Sequence, residues 1–165
     1  MGATRTVVLL VIVLFVAGCA PVESRSDAVE ALSSRSASRR AQALEYLQKL
    51  ESSERLELGR ELFLSDYAAK GHAGVKLLAS VRLTKQDWIW LQRRARTPKL
   101  VSRYLVLATN KEHSDSLRFI VANLEYADPL ALELYVRTLR ELTGLSFGNS
   151  TESPKTLHGR WERHV

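Results

Sequence analysis

The chain has 165 residues, of which 45% are hydrophobic and 25% are charged, proportions that suit one folded domain or a short array of repeats. Its single cysteine excludes an internal disulfide and any zinc site built on several cysteines. Eight glycines are few for a fold with many tight turns or phosphate-binding loops. The net charge of +6 favours acidic partners without identifying one.

The first residues read as a targeting segment. Arg5 is followed by an unbroken apolar run over residues 7–16 and then by Ala17, Gly18 and Cys19. Such a run is about half as long as a membrane-spanning helix requires. A positive residue, a short apolar centre and a small-residue cleavage site are typical of a secretory signal peptide. The sequence therefore predicts export.

The end of this segment is more specific than export alone. The tetrapeptide 16–19, Val-Ala-Gly-Cys, resembles the lipobox of bacterial lipoproteins, in which the signal is removed before the cysteine and the thiol is acylated. The resemblance implies a signal peptide over 1–18, then a lipidated Cys19 and short tether over 19–25. The residue after the cysteine is Ala20, and lipoproteins that lack an aspartate at this position are usually sent to the outer membrane. The resemblance therefore implies an anchor in the outer membrane that faces the periplasm. The alternative is an ordinary signal peptide with a chance cysteine.

After the tether, apolar residues recur at helical spacing, and no segment of strict alternation competes with them. Thr97 and Asp128 each precede a proline, Thr84 and Asp87 have capping-box spacing, and Gly144 follows an apolar stripe. These signals predict an all-α fold with little or no strand. The predicted helices lie near 26–34, 37–51, 54–64, 66–81, 85–96, 98–109, 113–125 and 129–143.

The helices fall into pairs with a constant period. Blocks 43–47, 74–78, 104–108 and 135–139 are related by shifts of 30–31 residues, and the second and fifth positions of each block are apolar. Self-similarity at this period is typical of a solenoid, whose units bury their apolar faces against their neighbours. A non-repeating helical bundle would also have apolar stripes and is the alternative.

The period and the carboxyl end both resemble bacterial HEAT-like repeats. Residues 139–148 contain a Leu-Thr-Gly turn and a Phe-Gly pair, and Trp161 follows, as in the closing segment of many such proteins. Ser146 replaces the usual acidic residue before Phe-Gly. The resemblance implies a right-handed α-solenoid of about four helix pairs over 26–144. Residues 145–165 would then cap its last pair through four large apolar side chains: Leu145, Phe147, Leu157 and Trp161.

Catalytic and metal-binding patterns are missing from the sequence. It contains no Gly-x-Ser-x-Gly turn, no phosphate-binding loop and no His-Glu-x-x-His helix. Its four histidines, His72, His113, His158 and His164, are not spaced as metal ligands. We therefore predict no enzyme, no catalytic residue, no cofactor and no metal. A constellation assembled from distant repeats is the alternative.

One stretch is distinctly basic. No acidic residue lies between Asp87 and Glu112. The candidate interaction surface within this stretch comprises Trp90, Arg93, Arg94, Arg96, Lys99 and Arg103. Such a surface could bind an acidic protein, an anionic envelope polymer or lipid headgroups. The structural alternatives are that the cations complement a helix dipole and that Trp90 covers the joint between repeats.

These observations favour a non-enzymatic interaction protein. We expect a scaffold or adaptor, anchored through acylated Cys19, that contacts another envelope protein. The alternative is a basic surface that binds an anionic polymer or lipid headgroups. Nucleic acid is not an expected partner because an exported lipoprotein rarely meets it. The sequence leaves open the partner, the binding face and the oligomeric state.

Overall fold

The computed structural model describes residues 22–146 and 151–165, and over these ranges every regular element is helical and none is a strand. The predicted signal peptide 1–18, Cys19 and Phe147 lie outside the described residues. The α-helices in the described ranges are α1 Arg25–Ala31, α2 Ala37–Gln48, α3 Ser52–Phe63, α4 Ala68–Ala79, α5 Lys85–Arg94, α6 Pro98–Asn110, α7 Leu117–Leu124, α8 Pro129–Thr143 and α9 Pro154–Glu162.

The chain divides into two compact units, Met1–Leu50 and Glu51–Val165. In the described part of the first unit, α1 packs against α2, and Ala28, Ala31 and Ala43 are buried. Ser24 and Ser36 begin the two helices, since each side-chain oxygen accepts from a backbone amide three residues later. The second unit contains α3 to α9 and the candidate site.

Helix boundaries follow the capping residues seen in the sequence. Thr97 and Asp128 accept from the amides of Leu100 and Ala131, and a proline follows each cap as the first helical residue. Thr84 and Asp87 form the reciprocal capping box of α5. Gly144 ends α8 with φ of +70°, the left-handed conformation that glycine adopts without strain. The predicted all-α class is therefore confirmed for the described residues.

The predicted helix over 113–125 differs in its first turn. Residues Ser114–Ser116 form a 3-10 turn, and the α-helix begins only at Leu117. His113 precedes the turn without a side-chain capping bond, because its ring bonds Ser116 instead. A side-chain contact thus overrides the ordinary helix start at this point.

Helix packing in the second unit follows the order of the chain. The most extensive contact joins α3 and α4, and shorter contacts join α5 with α6 and α7 with α8. The second helices of these pairs also contact one another, α4 with α6 and α6 with α8. The repeated second and fifth block positions in this unit are all buried: Val75, Leu78, Leu105, Ala108, Val136 and Leu139.

The carboxyl segment contains a helix that the sequence prediction did not assign. Ser153 accepts from the amide of Thr156, and Pro154 is the first residue of α9. The helix packs on α7, where Leu157 and Trp161 are fully buried. Leu145, which the sequence analysis placed in the same cap, is exposed, so the prediction is wrong for that residue. The Ser-Pro pair at 153–154 has the same capping signature as the pair at 97–98, so the sequence did contain the signal.

Candidate functional site

Three links between consecutive helices meet along one edge of the second unit. They are residues 64–67 between α3 and α4, 95–97 between α5 and α6, and 125–128 between α7 and α8. Lys99 Nζ, at the start of α6, lies 3.0 Å from Asp66 Oδ1 and so connects the first two links. A shared cleft connects the second and third. We call these three links the turn edge.

The turn edge carries exposed apolar side chains. Among the described residues, five large hydrophobic side chains are exposed, and Leu64, Tyr67 and Tyr126 lie in these links. Tyr126 has an exposed fraction of 82%. Single exposed apolar residues are ordinary, whereas grouped ones mark surfaces that contact a partner. Leu64 and Tyr67 share the first link and Tyr126 lies in the third, so three of the five exposed side chains belong to this edge.

Arginines surround the middle link. Arg93 and Arg94 occupy the last turn of α5, Arg96 lies in the link, and all three are exposed. Arg96 Nε donates to the carbonyl oxygen of Arg93 over 3.1 Å, so it also complements the carbonyl end of α5. This bond uses Nε alone and leaves both Nη atoms of Arg96 for a partner.

Lys99, the fourth predicted cation of this surface, has a partner within the protein. Its hydrogen bond and charge hold the pKa of Asp66 below its usual value. Both side chains are solvent-exposed, so the pair contributes little to stability. Its effect is to offset one positive charge at this edge and leave the three arginines as the basic group.

Arg103 does not belong to the exposed surface, and the sequence prediction is wrong for this residue. Its exposed fraction is 9%, and its Nη1 donates to the carbonyl oxygens of Phe63 and Ser65 at the end of α3. The guanidinium lies against Gly71, where an added Cβ would be 1.8 Å from Cζ of Arg103. Arg103 therefore fastens α6 to the carbonyl end of α3, because its charge complements that helix dipole.

Trp90 is half-buried and lies between two arginines. Its ring centroid is 5.3 Å from Arg60 Cζ and 5.7 Å from Arg94 Cζ. Arg60 belongs to α3, so the indole covers a joint between α3 and α5, as the structural alternative for Trp90 proposed. Cation–π attraction also holds Arg94 in place. Trp90 thus supports the basic group and is not a protruding anchor.

Asp87 fixes the opposite end of α5. It is buried, its carboxylate accepts hydrogen bonds from the backbone amide and the hydroxyl of Thr84, and it pairs with Arg60. Burial alone would raise the pKa of Asp87, but the Thr84 hydrogen bonds and the Arg60 charge together hold that pKa below its usual value. The carboxylate is therefore charged at neutral pH and joins α5 to α3. Asp87 lies in the first turn of α5, so it does not neutralise Arg93 and Arg94 in the last turn.

A cleft of about 260 Å³ lies between the second and third links. Val101, Ala127 and Ala131 give it apolar walls, and the exposed residues Arg96 and Tyr126 line its mouth. Pockets that hold whole small-molecule ligands measure roughly 300–1,000 Å³. The cleft is therefore sized for one large side chain of a partner.

Asp128 and Tyr135 are two of the polar residues that line this cleft. Asp128 lines it, but one carboxylate oxygen accepts from the amide of Ala131 as the cap of α8. Burial, with the charge of Asp128, raises the pKa of Tyr135 to about 12. The Tyr135 hydroxyl therefore stays protonated at neutral pH and can donate a hydrogen bond.

A buried hydrogen-bonded chain was not foreseen from the sequence. Gln92 Nε2 donates to Tyr104 Oη over 2.9 Å, Tyr104 Oη bonds Ser116 Oγ, and Ser116 Oγ lies 2.7 Å from His113 Nδ1. The His113 ring stacks on Trp88 with centroids 3.8 Å apart. The chain thus ties α5 and α6 to the 3-10 turn.

The donor-to-acceptor direction of these hydrogen bonds requires His113 to be neutral. Because Gln92 donates at one end, every hydroxyl is satisfied when Tyr104 donates to Ser116 and Ser116 donates to an unprotonated His113 Nδ1. Burial lowers the pKa of His113, and the charge of Asp115 opposes part of that effect. Ser116 is fully buried, so no substrate reaches its oxygen. The Ser116–His113 pair therefore serves packing rather than nucleophilic attack.

The described residues offer neither a metal-binding cluster nor a membrane-spanning helix. The structurally described part of the chain has no group of three or more histidine, cysteine or acidic residues placed to hold a metal ion. Within those ranges no helix combines the length and apolarity required to cross a bilayer. Comparisons with protein-family models, curated proteins and solved structures find no match for this chain.

The structure thus rearranges the predicted interaction surface. Arg93, Arg94 and Arg96 are exposed around the middle link, and Lys99 is paired with Asp66. Trp90 is half-buried, and Arg103 is buried and so lies outside the surface. The structure adds three residues that sequence reasoning missed: Leu64, Tyr67 and Tyr126. Of these, only Tyr126 lies outside every predicted helix, so an apolar residue in a predicted link was the one available signal.

Proposed function

We propose that this chain is a lipid-anchored interaction protein of the bacterial envelope that docks another protein and catalyses no reaction. The tetrapeptide 16–19 supports acylation of Cys19 and attachment to the outer membrane on its periplasmic side. Two or three acyl chains on one cysteine hold far more firmly than one. Anchoring supplies confinement to a surface and leaves recognition to the folded part.

We further propose that the second unit is a short right-handed solenoid of HEAT-like helix pairs. The contacts of α4 with α6 and of α6 with α8 support a single file of second helices. The period of 30–31 residues and the burial of the matching block positions support equivalent units. In such an array the links within pairs fall on one edge, which agrees with the adjacency of 64–67, 95–97 and 125–128.

The observation that carries the proposed function is the composition of the turn edge. Exposed Tyr126 lines the same cleft as exposed Arg96, and the Lys99–Asp66 pair joins this region to the first link, where Leu64 and Tyr67 are exposed. Tyrosine and arginine are enriched in protein interfaces, where they supply large contact area and several hydrogen-bond donors. A surface that served only for solubility would carry mixed charges without grouped apolar residues.

The mechanism is positional. Anchoring at Cys19 would restrict the chain to the membrane surface and so raise its effective concentration near other membrane components, without any new contact. The rigid helix pairs would hold the turn edge in a fixed shape, so that little conformational entropy is lost on docking. Removal of either the anchor or the edge should weaken assembly.

In-cell chemical cross-linking, followed by capture and mass spectrometry, tests this proposal. The anchored chain is compared with Cys19→Ala and with Tyr126→Ser, whose exposed side chain contributes little to folding. We expect one discrete envelope protein with the anchored chain and much less of it with either variant. Equal recovery with Tyr126→Ser and the anchored chain would contradict a role for the turn edge.

Exposed Arg93, Arg94 and Arg96 also favour a second candidate, a surface for anionic polymer or lipid headgroups. That function would weaken steeply with salt because it depends on exposed charge. It would be abolished by glutamate at the three arginines and would not depend on Tyr126. Recovery of peptidoglycan or acidic lipid, with no protein, would select this candidate.

A further inference from the structure

The cleft between the second and third links has walls and a mouth of different character. Val101, Ala127 and Ala131 make the walls apolar, whereas Arg96 lines the mouth. A ligand that satisfies both must carry an apolar group and negative charge close together. Interface anchors commonly fill a desolvated pocket while polar contacts surround them.

Charge around the cleft is divided between its two links, because the arginines belong to the second link and the carboxylates of Glu125 and Asp128 belong to the third. Arg93 and Arg94 end α5 next to Arg96, and the sequence has no acidic residue from 88 to 111. Asp66 in the first link pairs with Lys99, and in the third link one oxygen of Asp128 caps α8. The three arginines outnumber the two carboxylates of the third link, so the second-link side of the cleft presents a positive field to an arriving partner.

We propose, on the basis of the function proposed above, that this cleft binds an acidic segment of a partner protein through one aromatic or large aliphatic side chain. The apolar side chain would enter the cleft against Val101 and Ala131, under the ring of Tyr126. Carboxylates next to it in the segment would accept hydrogen bonds from Arg93, Arg94 and Arg96. Arginine clusters recognise acidic motifs in this way because each guanidinium offers paired donors to a carboxylate.

The size of the cleft supports one anchor side chain rather than a small-molecule ligand. Its volume of about 260 Å³ is below the roughly 300–1,000 Å³ typical of pockets that hold whole ligands. Lipid headgroups would use the arginines without the cleft, since they carry no apolar side group at that position. Dependence on the apolar residue therefore separates the two kinds of partner.

The test measures binding of a short synthetic peptide to the full chain in nanodiscs of zwitterionic lipid, by fluorescence anisotropy. The probe is a run of glutamate and aspartate with one central phenylalanine. Two comparison peptides replace the phenylalanine by serine, or every acidic residue by lysine. We expect the probe to bind, the serine peptide to bind about tenfold more weakly, and the lysine peptide not to bind.

Protein variants locate the binding. Tyr126→Ser should weaken the probe about tenfold, and the triple variant R93E/R94E/R96E should abolish binding. A matched triple variant, R118E/K155E/R163E, makes the same change in net charge at exposed positions on α7 and at α9, and should leave binding within twofold. Circular dichroism of each variant confirms that it is folded.

Three results would overturn the inference. They are no binding of the probe, equal binding of the phenylalanine and serine peptides, and equal losses in the two triple variants. Binding that is displaced by anionic vesicles and unaffected by Tyr126→Ser would assign the arginines to lipid and overturn it also. If the probe fails while the anchored chain still captures one envelope protein through Tyr126, the proposed function stands and only the acidic-segment inference is wrong.

Discussion

Gly74 lies where the backbones of α3 and α4 approach most closely, and alanine at this position should destabilise the protein. A Cβ added there would be 2.4 Å from Phe63 N, 2.7 Å from Leu62 C and 2.9 Å from Gly59 O. All three are backbone atoms, so no side-chain rotation can relieve the overlap. The two helices would have to separate by about 1 Å to restore ordinary contact.

The expected magnitude follows from two opposing effects. Alanine stabilises a helix interior by about 1 kcal/mol relative to glycine. Overpacking costs typically about 1–3 kcal/mol, and a gap of up to 1 Å forfeits a quarter to a half of each dispersion contact across the interface. Because α3 and α4 form the most extensive helix contact, the cost lies at the upper end. The net prediction is a loss of about 2 kcal/mol.

Gly159→Ala is the matched control. Gly159 lies within α9, and a Cβ there would meet no atom within 4 Å. The Gly159→Ala variant gains the helix propensity of alanine without a steric overlap, so its free energy of unfolding should rise by about 1 kcal/mol. Urea unfolding followed by tryptophan fluorescence measures both, since all three tryptophans lie in the second unit. Equal or greater stability of Gly74→Ala than of the unaltered chain would refute the close approach of α3 and α4.

Three further predictions concern buried polar groups and the carboxyl segment. Arg103→Met should lower the unfolding free energy by about 2–4 kcal/mol, because it leaves two carbonyls at the end of α3 without their donor. The control, Arg118→Met at an exposed position, should change the unfolding free energy by less than about 0.5 kcal/mol. The lowered pKa of His113 means that the unfolded chain binds its proton first, so stability should fall as pH drops below about 6.5 towards the folded-state pKa. Burial lowers the pKa of His72 too, so His113→Asn and His72→Gln should each reduce that slope in urea titrations at several pH values. A slope unchanged by His113→Asn would contradict the neutral, partly buried state of His113. Deletion of 145–165 should lower the melting temperature or cause aggregation, and an equally stable, soluble product would show that the segment covers nothing.

Features governed by local chemistry were predictable from the sequence. The starts of α6 and α8 follow from a capping side chain and the proline after it, which act over a few residues. The inward faces of α4, α6 and α8 follow from apolar periodicity, because a helix buries positions three and four apart. The same reasoning would have found α9, since Ser153 and Pro154 give the identical signal.

Features governed by tertiary contact were not predictable. In the sequence, Arg103 looks like part of a charged run. In the structure it lies among the inward positions of α6 and donates hydrogen bonds to the carbonyl oxygens of Phe63 and Ser65. No local pattern shows that those carbonyls lie beside α6. The series of side-chain hydrogen bonds from Gln92 to His113 likewise depends on the packing of α5 against α6.

The candidate surface was partly predictable for the same reason. The arginines at 93, 94 and 96 form a run in the sequence, so they were found. Leu64 and Tyr67 share one link but are far from Tyr126 in the sequence, and only tertiary contacts bring the three links to one edge. The apolar half of the turn edge therefore required the structure, while the basic half did not.

Site-specific photo-cross-linking in cells tests the central claim, that the turn edge contacts a protein, most directly. A photoreactive residue is placed at Tyr126, or at exposed Asn110, which ends α6 about 20 Å from the turn edge. We expect a discrete cross-linked protein from position 126, lost in R93E/R94E/R96E, and none from position 110. The same product from both positions, or no product from 126, would contradict it.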